Sequence, residues 1–311
     1  MRAFIVRRVI QLLFFFWALS ALIFFLIHLI PGDPVVSLLG EGAGNEDMRR
    51  MRIELKLDRP LLAQYLEYNK NLWNGSFGQS LFSHQPVIRD ILHYLPNTLW
   101  LTLASMGITL LISLPVGTLA GMKENSACDK WITLGTALGL AIPNFLIGLL
   151  LILAFSIAIG WFPVSGDAGI RYLFLPAMTL GISLSAQMIR IIRTAISAEM
   201  KKPYILLARA KGLTEVQILV RHVLRNALIP IGTVIGLQFG ALLTGAIVTE
   251  SVFSWQGIGV LLLTAIHRRD YPLMQGVILL IAMVYMTVNF LVDLSYLLID
   301  PRIRRHHEIH G

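Results

Sequence analysis

The residues able to do chemistry crowd into one stretch of this chain. Between Thr194 and Asn226 lie six Lys or Arg and only two carboxylates, Glu199 and Glu215, around the run Ala208-Arg209-Ala210-Lys211-Gly212. No nucleophile–base pair and no metal-ligand spacing accompanies them. The chemistry on offer is recognition: cationic groups that can meet carboxylates on a partner, beside small residues that let a helix approach. Such a basic, two-helix element held against one membrane face is a docking surface for a cytoplasmic partner.

The elements that position these residues are written in their spacing. Pro203 suits the first turn of a helix, where its missing N–H would be unpaired anyway. Gly212 suits the position just past a helix end, where a positive φ costs it little. Thr214 with Gln217 three residues on forms a capping box for a second helix. Val216, Leu219, Val220, Val223 and Ala227 recur at i, i+3, i+4, i+7 and i+11 and predict its apolar face, with Gln217, Arg221 and Arg225 on another.

The surroundings are membrane. Of 311 residues, 56% are hydrophobic and 14% charged, with positive mean hydropathy; soluble domains sit near ~25% charged. Six segments approach the ~20 apolar residues needed to cross a bilayer: Val9–Ile30, Asn97–Gly121, Trp131–Gly160, Tyr172–Arg193, Ala227–Thr249 and Gln275–Ile299. The third is long enough to tilt, or to break at Pro143. Pro115, Pro176 and Pro230 punctuate others, and Gly232, Gly236, Gly240 and Gly245 suit close helix packing. The expected fold is an all-α, polytopic membrane helical bundle of about six transmembrane helices. Residues 1–30 hold the N-terminus and first span, and 31–96 a small external domain between the first and second helices. Residues 97–299 form the core, with the basic segment 194–226 inside it, and 300–311 a cytoplasmic tail. In the external segment, Arg49–Leu57 and Pro60–Trp73 predict short helices. The connection Glu250–Met274 predicts a re-entrant or surface turn plus a short helix.

Charge placement sets the expected orientation. The net charge is +8, and sixteen of 26 Lys/Arg fall in the segments assigned to the cytoplasm, the positive-inside bias. An even number of spans then leaves both termini in the cytoplasm. The apolar run after Arg7-Arg8 is too long for a signal-peptide core of about 7–15 residues, so it predicts an uncleaved span.

Several activities are unsupported. No phosphate-binding loop, His-Glu-x-x-His or Gly-x-Ser-x-Gly occurs, and a single cysteine, Cys128, rules out a disulfide framework within the chain. No catalytic residue, cofactor or metal site is expected, and the tail histidines His306, His307 and His310 suit a solvated segment. Ionisable groups within spans are few, His28, Asp293 and Glu250, and no relay of them crosses the bilayer. A lone secondary transporter or channel is therefore the weaker alternative. Nucleic-acid binding is not expected, since membrane spans flank the helix–turn–helix.

The basic segment resembles the cytoplasmic loop of ATP-binding-cassette importer permeases, whose motif is Glu-Ala-Ala, three residues, then Gly. Ala208 and Gly212 match it, while Leu206 and Leu207 replace the Glu and first Ala, and His222 and Arg225 interrupt the later Ile-x-Leu-Pro. These departures match the subfamily for dipeptides, oligopeptides, glutathione and nickel. So do Pro31-Gly32-Asp33-Pro34, Phe77-Gly78-Gln79-Ser80, Pro143-Asn144-Phe145, Leu224-Arg225-Asn226-Ala227, Arg269-Asp270-Tyr271-Pro272 and Asp300-Pro301-Arg302-Ile303-Arg304. Gln256 stands where relatives carry Pro.

The resemblance implies a permease in a bacterial inner membrane, non-catalytic and forming half of a translocation pathway. Its partners would be a second, homologous permease (a heterodimer), two cytoplasmic ATPases that bind the ATP and Mg, an external substrate-binding protein and membrane lipid. Tyr204, Leu207, Ala208, Arg209, Lys211, Gly212 and Leu213 would couple to the ATPases, Ala208 and Gly212 forming the smooth seat. Asp293, Arg269 and Asp270 are candidates for a structural or gating role. Peptides are the preferred substrate, with nickel or a metal chelate the alternative; substrate-contacting residues are not legible.

Overall fold

The computed structural model describes residues 2–29, 32–40 and 42–299, without the side chains of 2–7, 9, 229, 244, 245, 293 and 295–299. It is all-helical. Among the described residues no strand forms, and one isolated antiparallel bridge joins Gln79 and Pro86. The chain divides into two compact units, one made of 1–98 and 256–286, the other of 99–255 and 287–311.

The first unit opens with α1 (Arg2–Leu29), followed by α2 (Pro34–Leu39), α3 (Asn45–Glu54) and α4 (Leu61–Trp73). The two short helices expected in the 31–96 segment are therefore present, α3 starting four residues early. Asp33 starts α2 by accepting from the Val35 N–H at 2.9 Å, with Pro34 in the first turn. It also pairs with Arg52 of α3, while Glu67 of α4 gathers Lys56 and Arg59. This unit also holds α13 (Ile258–Arg268), the start of α5 (Val87–Met122) and the first part of α14 (Tyr271–Ile299).

Asp270 is the polar centre of this unit. Its buried carboxylate accepts from Ser80 Oγ at 2.5 Å and from the Leu81 N–H at 3.1 Å, and caps α14 through the Leu273 N–H at 3.2 Å. Arg269 sits at φ +54° and lays its guanidinium over Gly32, where a Cβ would fall 1.9 Å from Arg269 Cζ. The guanidinium could swing aside, but Gly32 also stands at φ +127°, a conformation that side-chain-bearing residues rarely adopt, which accounts for the glycine in Pro31-Gly32-Asp33-Pro34.

The second unit contains α6 (Ala127–Ala141), α7 (Asn144–Leu151), a π-helical run Ile152–Ala158, α8 (Ile170–Met200), α9 (Pro203–Ala210), α10 (Glu215–Ile218), a second π-helical run Leu219–Val223, α11 (Leu224–Gly245) and α12 (Ile247–Val252). Its centre is α8, packed against α6, α7 and α11. Close approach to α5 is set by Gly117 and Gly121, one helical turn apart. A Cβ on Gly117 would come within 2.8 Å of Ile192 Cβ, and one on Gly121 within 2.7 Å of Ile196 Cβ and 2.8 Å of the Arg193 carbonyl. This is a small-xxx-small contact. Of the glycines expected to pack closely, Gly236 does so against Val292, whereas Gly232 meets nothing within 4 Å.

Among the described residues four helices are long and apolar enough to cross a membrane, and the number is six when each of two bent pairs is taken as one span. The third expected span is one such pair, turning by 97° between α6 and α7. The break falls at Pro143, which caps α7 and holds Ile142 extended, as the restriction on a residue preceding proline requires. Other spans outrun the hydropathy signal: α5 begins at Val87, ten residues before the apolar run, and α8 continues to Met200. The added turns pack within the protein: Val87 and Ile91 of α5 and Ile196 and Glu199 of α8 are buried.

Candidate partner-docking site

The basic segment folds as the turn chemistry requires. Pro203 occupies the first turn of α9, Gly212 ends it at φ +78°, and Thr214 and Gln217 form both bonds of the capping box at 3.0 and 3.3 Å. Two hydrogen bonds close the turn, from the Gly212 N–H to the Arg209 carbonyl at 2.9 Å and from the Leu213 N–H to the Ala208 carbonyl at 3.3 Å. The αL geometry at Gly212 makes this pair of bonds available.

A buried carboxylate fastens the hairpin to the end of α8. Glu199 accepts from Lys202 Nζ and from the Tyr204 hydroxyl at 2.5 Å, and that hydroxyl accepts from Asn226 Nδ2 at 3.0 Å. Burial, and then the bond to Glu199, raise the Tyr204 phenol above its ordinary pKa. One group thus ties together the end of α8, the start of α9 and the start of α11. Beneath them, Ile205, Ala208, Ile218, Val223, Ala227 and Ile231 bury against Met188, Ile192 and Ile196 of α8.

A second tie anchors the α5–α6 corner. Arg193 makes a two-pronged bond to Asp129, its terminal nitrogen 2.7 Å from Oδ2, and the Asn125 N–H adds a further donor at 2.9 Å. Nearby, Lys201 meets Glu124 at 2.7 Å. The sequence pattern gives Glu199 only as one of two carboxylates in the basic segment and assigns no role to Asp129. The available signal was a carboxylate at the mouth of a span, which cannot stay there unpaired.

Three expectations for this segment need correction. Ala208 does not form an outward-facing smooth seat with Gly212; it is 6% exposed, turned into the core beside Ile205. Arg209 is already engaged, forking onto Glu215 at 2.8 and 3.2 Å. The apolar stripe of the second helix is also shifted, since Val216 and Val220 are exposed and the buried set is Ile218, Val223, Ala227 and Ile231. The spacing of five between Ile218 and Val223 spans the π-helical run, which inserts one residue into the helical phase.

The large apolar side chains the segment leaves exposed are Leu206, Leu207, Val216 and Val220, at 65%, 58%, 67% and 58%. Arg209, Lys211, Gly212 and Arg221 are exposed as well, while Tyr204 and Leu213 are half-buried. Seven of the ten candidate residues thus share the hairpin. Arg269 and Asp270 belong to the other unit, in the structural roles described above, and the Asp293 side chain lies outside the described residues.

The description "Binding-protein-dependent transport system inner membrane component" fits residues 113–305, and the corresponding N-terminal description fits residues 1–102. The chain belongs to this family. It is similar to the di/tripeptide transport system permease protein DppB of Pseudomonas aeruginosa (strain UCBPP-PA14), 41% identical with 98% of this chain and 99% of the relative covered. It is also similar to the glutathione transport system permease protein GsiC of Escherichia coli (strain K12), 37% identical over 97% and 98%. Among solved structures it shares its fold with the inward-facing MetNI methionine ABC transporter. The TM-score is 0.59 at 18% identity, over 68% of this chain and 97% of the other. An amino acid ABC transporter solved with histidines matches with a TM-score of 0.53 at 19% identity, over 67% and 93%. This member of the family is thus an inner-membrane permease subunit of an ATP-binding-cassette importer.

Proposed function

We propose that this permease forms half of the translocation path for short peptides. An external binding protein delivers them, and a second, homologous permease completes the pair. Two ATPase subunits bind ATP and Mg and grip the α9–α10 hairpin; this chain carries no cofactor and performs no catalysis. Both termini and the hairpin lie on the cytoplasmic side, and residues 31–96 lie outside. The preference for peptides over a metal chelate comes from the relatives, which carry di/tripeptides and glutathione by name.

The observation that supports the coupling role is the outward face of the hairpin. Four large apolar side chains stand in the open beside Lys211 and Arg221, in a segment whose own buried side is already complete. Large apolar side chains left exposed in number within one short segment mark an interaction surface. The Glu199 and Asp129 ties make it rigid, so a push there is passed to α8 instead of being absorbed.

The test uses the assembled transporter. Leu207→Asp together with Val220→Asp alters only exposed positions, so the permease should still insert and fold. The double variant should lose co-purification of the ATPase subunits and substrate-stimulated ATP turnover. Retention of both would refute the docking role.

A further inference from the structure

The uncovered face of α8 differs from those of the other spans. Residues Gln187, Arg190, Thr194 and Ala198 are exposed along it, with Ser183 half-buried a turn before; their spacing of three and four keeps them on one side. Elsewhere the uncovered faces are largely apolar, as lipid demands: Leu13, Phe14 and Trp17 on α1, Leu111 on α5, Trp131 and Leu138 on α6, with single polar positions such as Thr133 and Thr287 among them and no run of them. Polar side chains in a span face protein or water, because hydrocarbon cannot satisfy them. Arg190 lies ten residues, about 15 Å, before the end of α8, and among the described residues no carboxylate pairs with it, whereas its neighbour Arg193 is held by Asp129. The face is concave as well. Gln187, Arg190, Thr194 and Ala198 line an open groove of about 560 Å³, together with Ile191 and Ala195 of the same helix and Pro230 of α11, so its polar groups stand on a mostly apolar floor.

We propose that this groove is a stretch of wall of the translocation path, and that Arg190 receives the C-terminal carboxylate of the passing peptide. The inference rests on the peptide-importer reading and deepens it. A planar guanidinium matches a carboxylate in two-pronged geometry. The Gln187 amide supplies a donor and an acceptor beside it. The Thr194 hydroxyl donates to the Arg190 carbonyl at 2.9 Å, so its lone pairs remain to accept from a peptide N–H. Open water in the groove would keep the pairing weak enough for release, since an exposed ion pair contributes little.

The experiment uses the complete transporter with its binding protein in proteoliposomes, and compares trialanine with its C-terminal amide. Arg190→Gln should lower ATP-driven uptake of the free acid about fivefold, the upper end of what an exposed ion pair contributes, while uptake of the amide changes less than twofold. Arg190→Lys should recover part of the free-acid rate. Equal losses on both peptides, or no loss on either, would overturn the assignment. A second measurement addresses the wall itself: with Cys128→Ala as background, Gln187→Cys should react with a charged methanethiosulfonate reagent. Failure to react would show the face sealed and would equally overturn the proposal. Should the unaltered transporter import neither peptide, the peptide reading fails, while the labelling still decides whether the groove is wet.

Discussion

Breaking the Asp129–Arg193 bond isolates what holds the coupling segment to its base. The Asp129 side chain is 3% exposed and that of Arg193 26%, so Asp129→Asn leaves a guanidinium partly buried and facing an amide that cannot neutralise it. Removing one partner of a fully buried pair costs about 3–5 kcal/mol. The quarter of Arg193 still reached by solvent recovers some of this, which brings the expected cost to about 2–3 kcal/mol. At roughly 2 °C per kcal/mol for a chain of this size, Tm in detergent should fall by about 5 °C. A double-mutant cycle with Asp129→Ala and Arg193→Ala separates the pair from its surroundings. The two losses should fall short of additivity by ~1 kcal/mol or more, because the second deletion removes the charge that the first one stranded. The neighbouring Glu124–Lys201 pair is the control; Lys201 is largely exposed, and Glu124→Gln should leave Tm within the scatter of the unaltered protein. Additivity within about 0.5 kcal/mol would refute the reasoning.

Two glycine comparisons test the packing. Gly121→Val should strongly destabilise the protein, by roughly 3 kcal/mol on the scale of core overpacking, because its Cβ meets Ile196 and a backbone carbonyl under 3 Å. Gly107→Ala, facing open space in the same helix, should raise Tm slightly; equal losses for the two would remove the close-contact argument. At the hairpin, Gly212 has nothing within 4 Å of a built Cβ but stands at φ +78°. Gly212→Ala should therefore cost about 1–2 kcal/mol from backbone conformation alone, with Gly212→Asn recovering part of it, both read as thermal unfolding of the purified permease.

What the sequence made legible was local. Pro203, Gly212 and the Thr214–Gln217 box each act within four residues, so the hairpin's helix ends could be placed by inspection. The break at Pro143 was visible for the same reason, since a proline restricts the residue before it. What escaped was long-range. Arg193 looked like one more inside-facing cation until Asp129, 64 positions away, was found opposite it. Ala208 looked like surface because Ala sits on either side of a helix without protest, and only Ile192 and Ile218 around it decide which. Gly117 and Gly121 carried a readable small-xxx-small spacing, yet nothing local named α8 as the helix they admit.

The second π-helical run offers the sharpest test of why the periodicity reading slipped. Over Leu219–Val223 the helix accommodates one residue more than an α-turn holds, so Ile218 and Val223 share a face at a spacing of five. Deleting Val220, which is exposed, sets the buried positions four apart throughout, the spacing at which an unbroken α-helix keeps them aligned. The extra residue is then dispensable for packing, and the deletion should insert, fold and unfold within a few degrees of the unaltered protein. Deleting Ile218 instead removes a fully buried side chain from the same cluster, at a cost of about 2–5 kcal/mol. If the Val220 deletion proved as damaging as that of Ile218, the phase-shift explanation would fail. If it folds but uncouples ATP turnover from uptake, the π-helical run serves the exposed side, to which Val216 and Val220 belong, and not the packing beneath it.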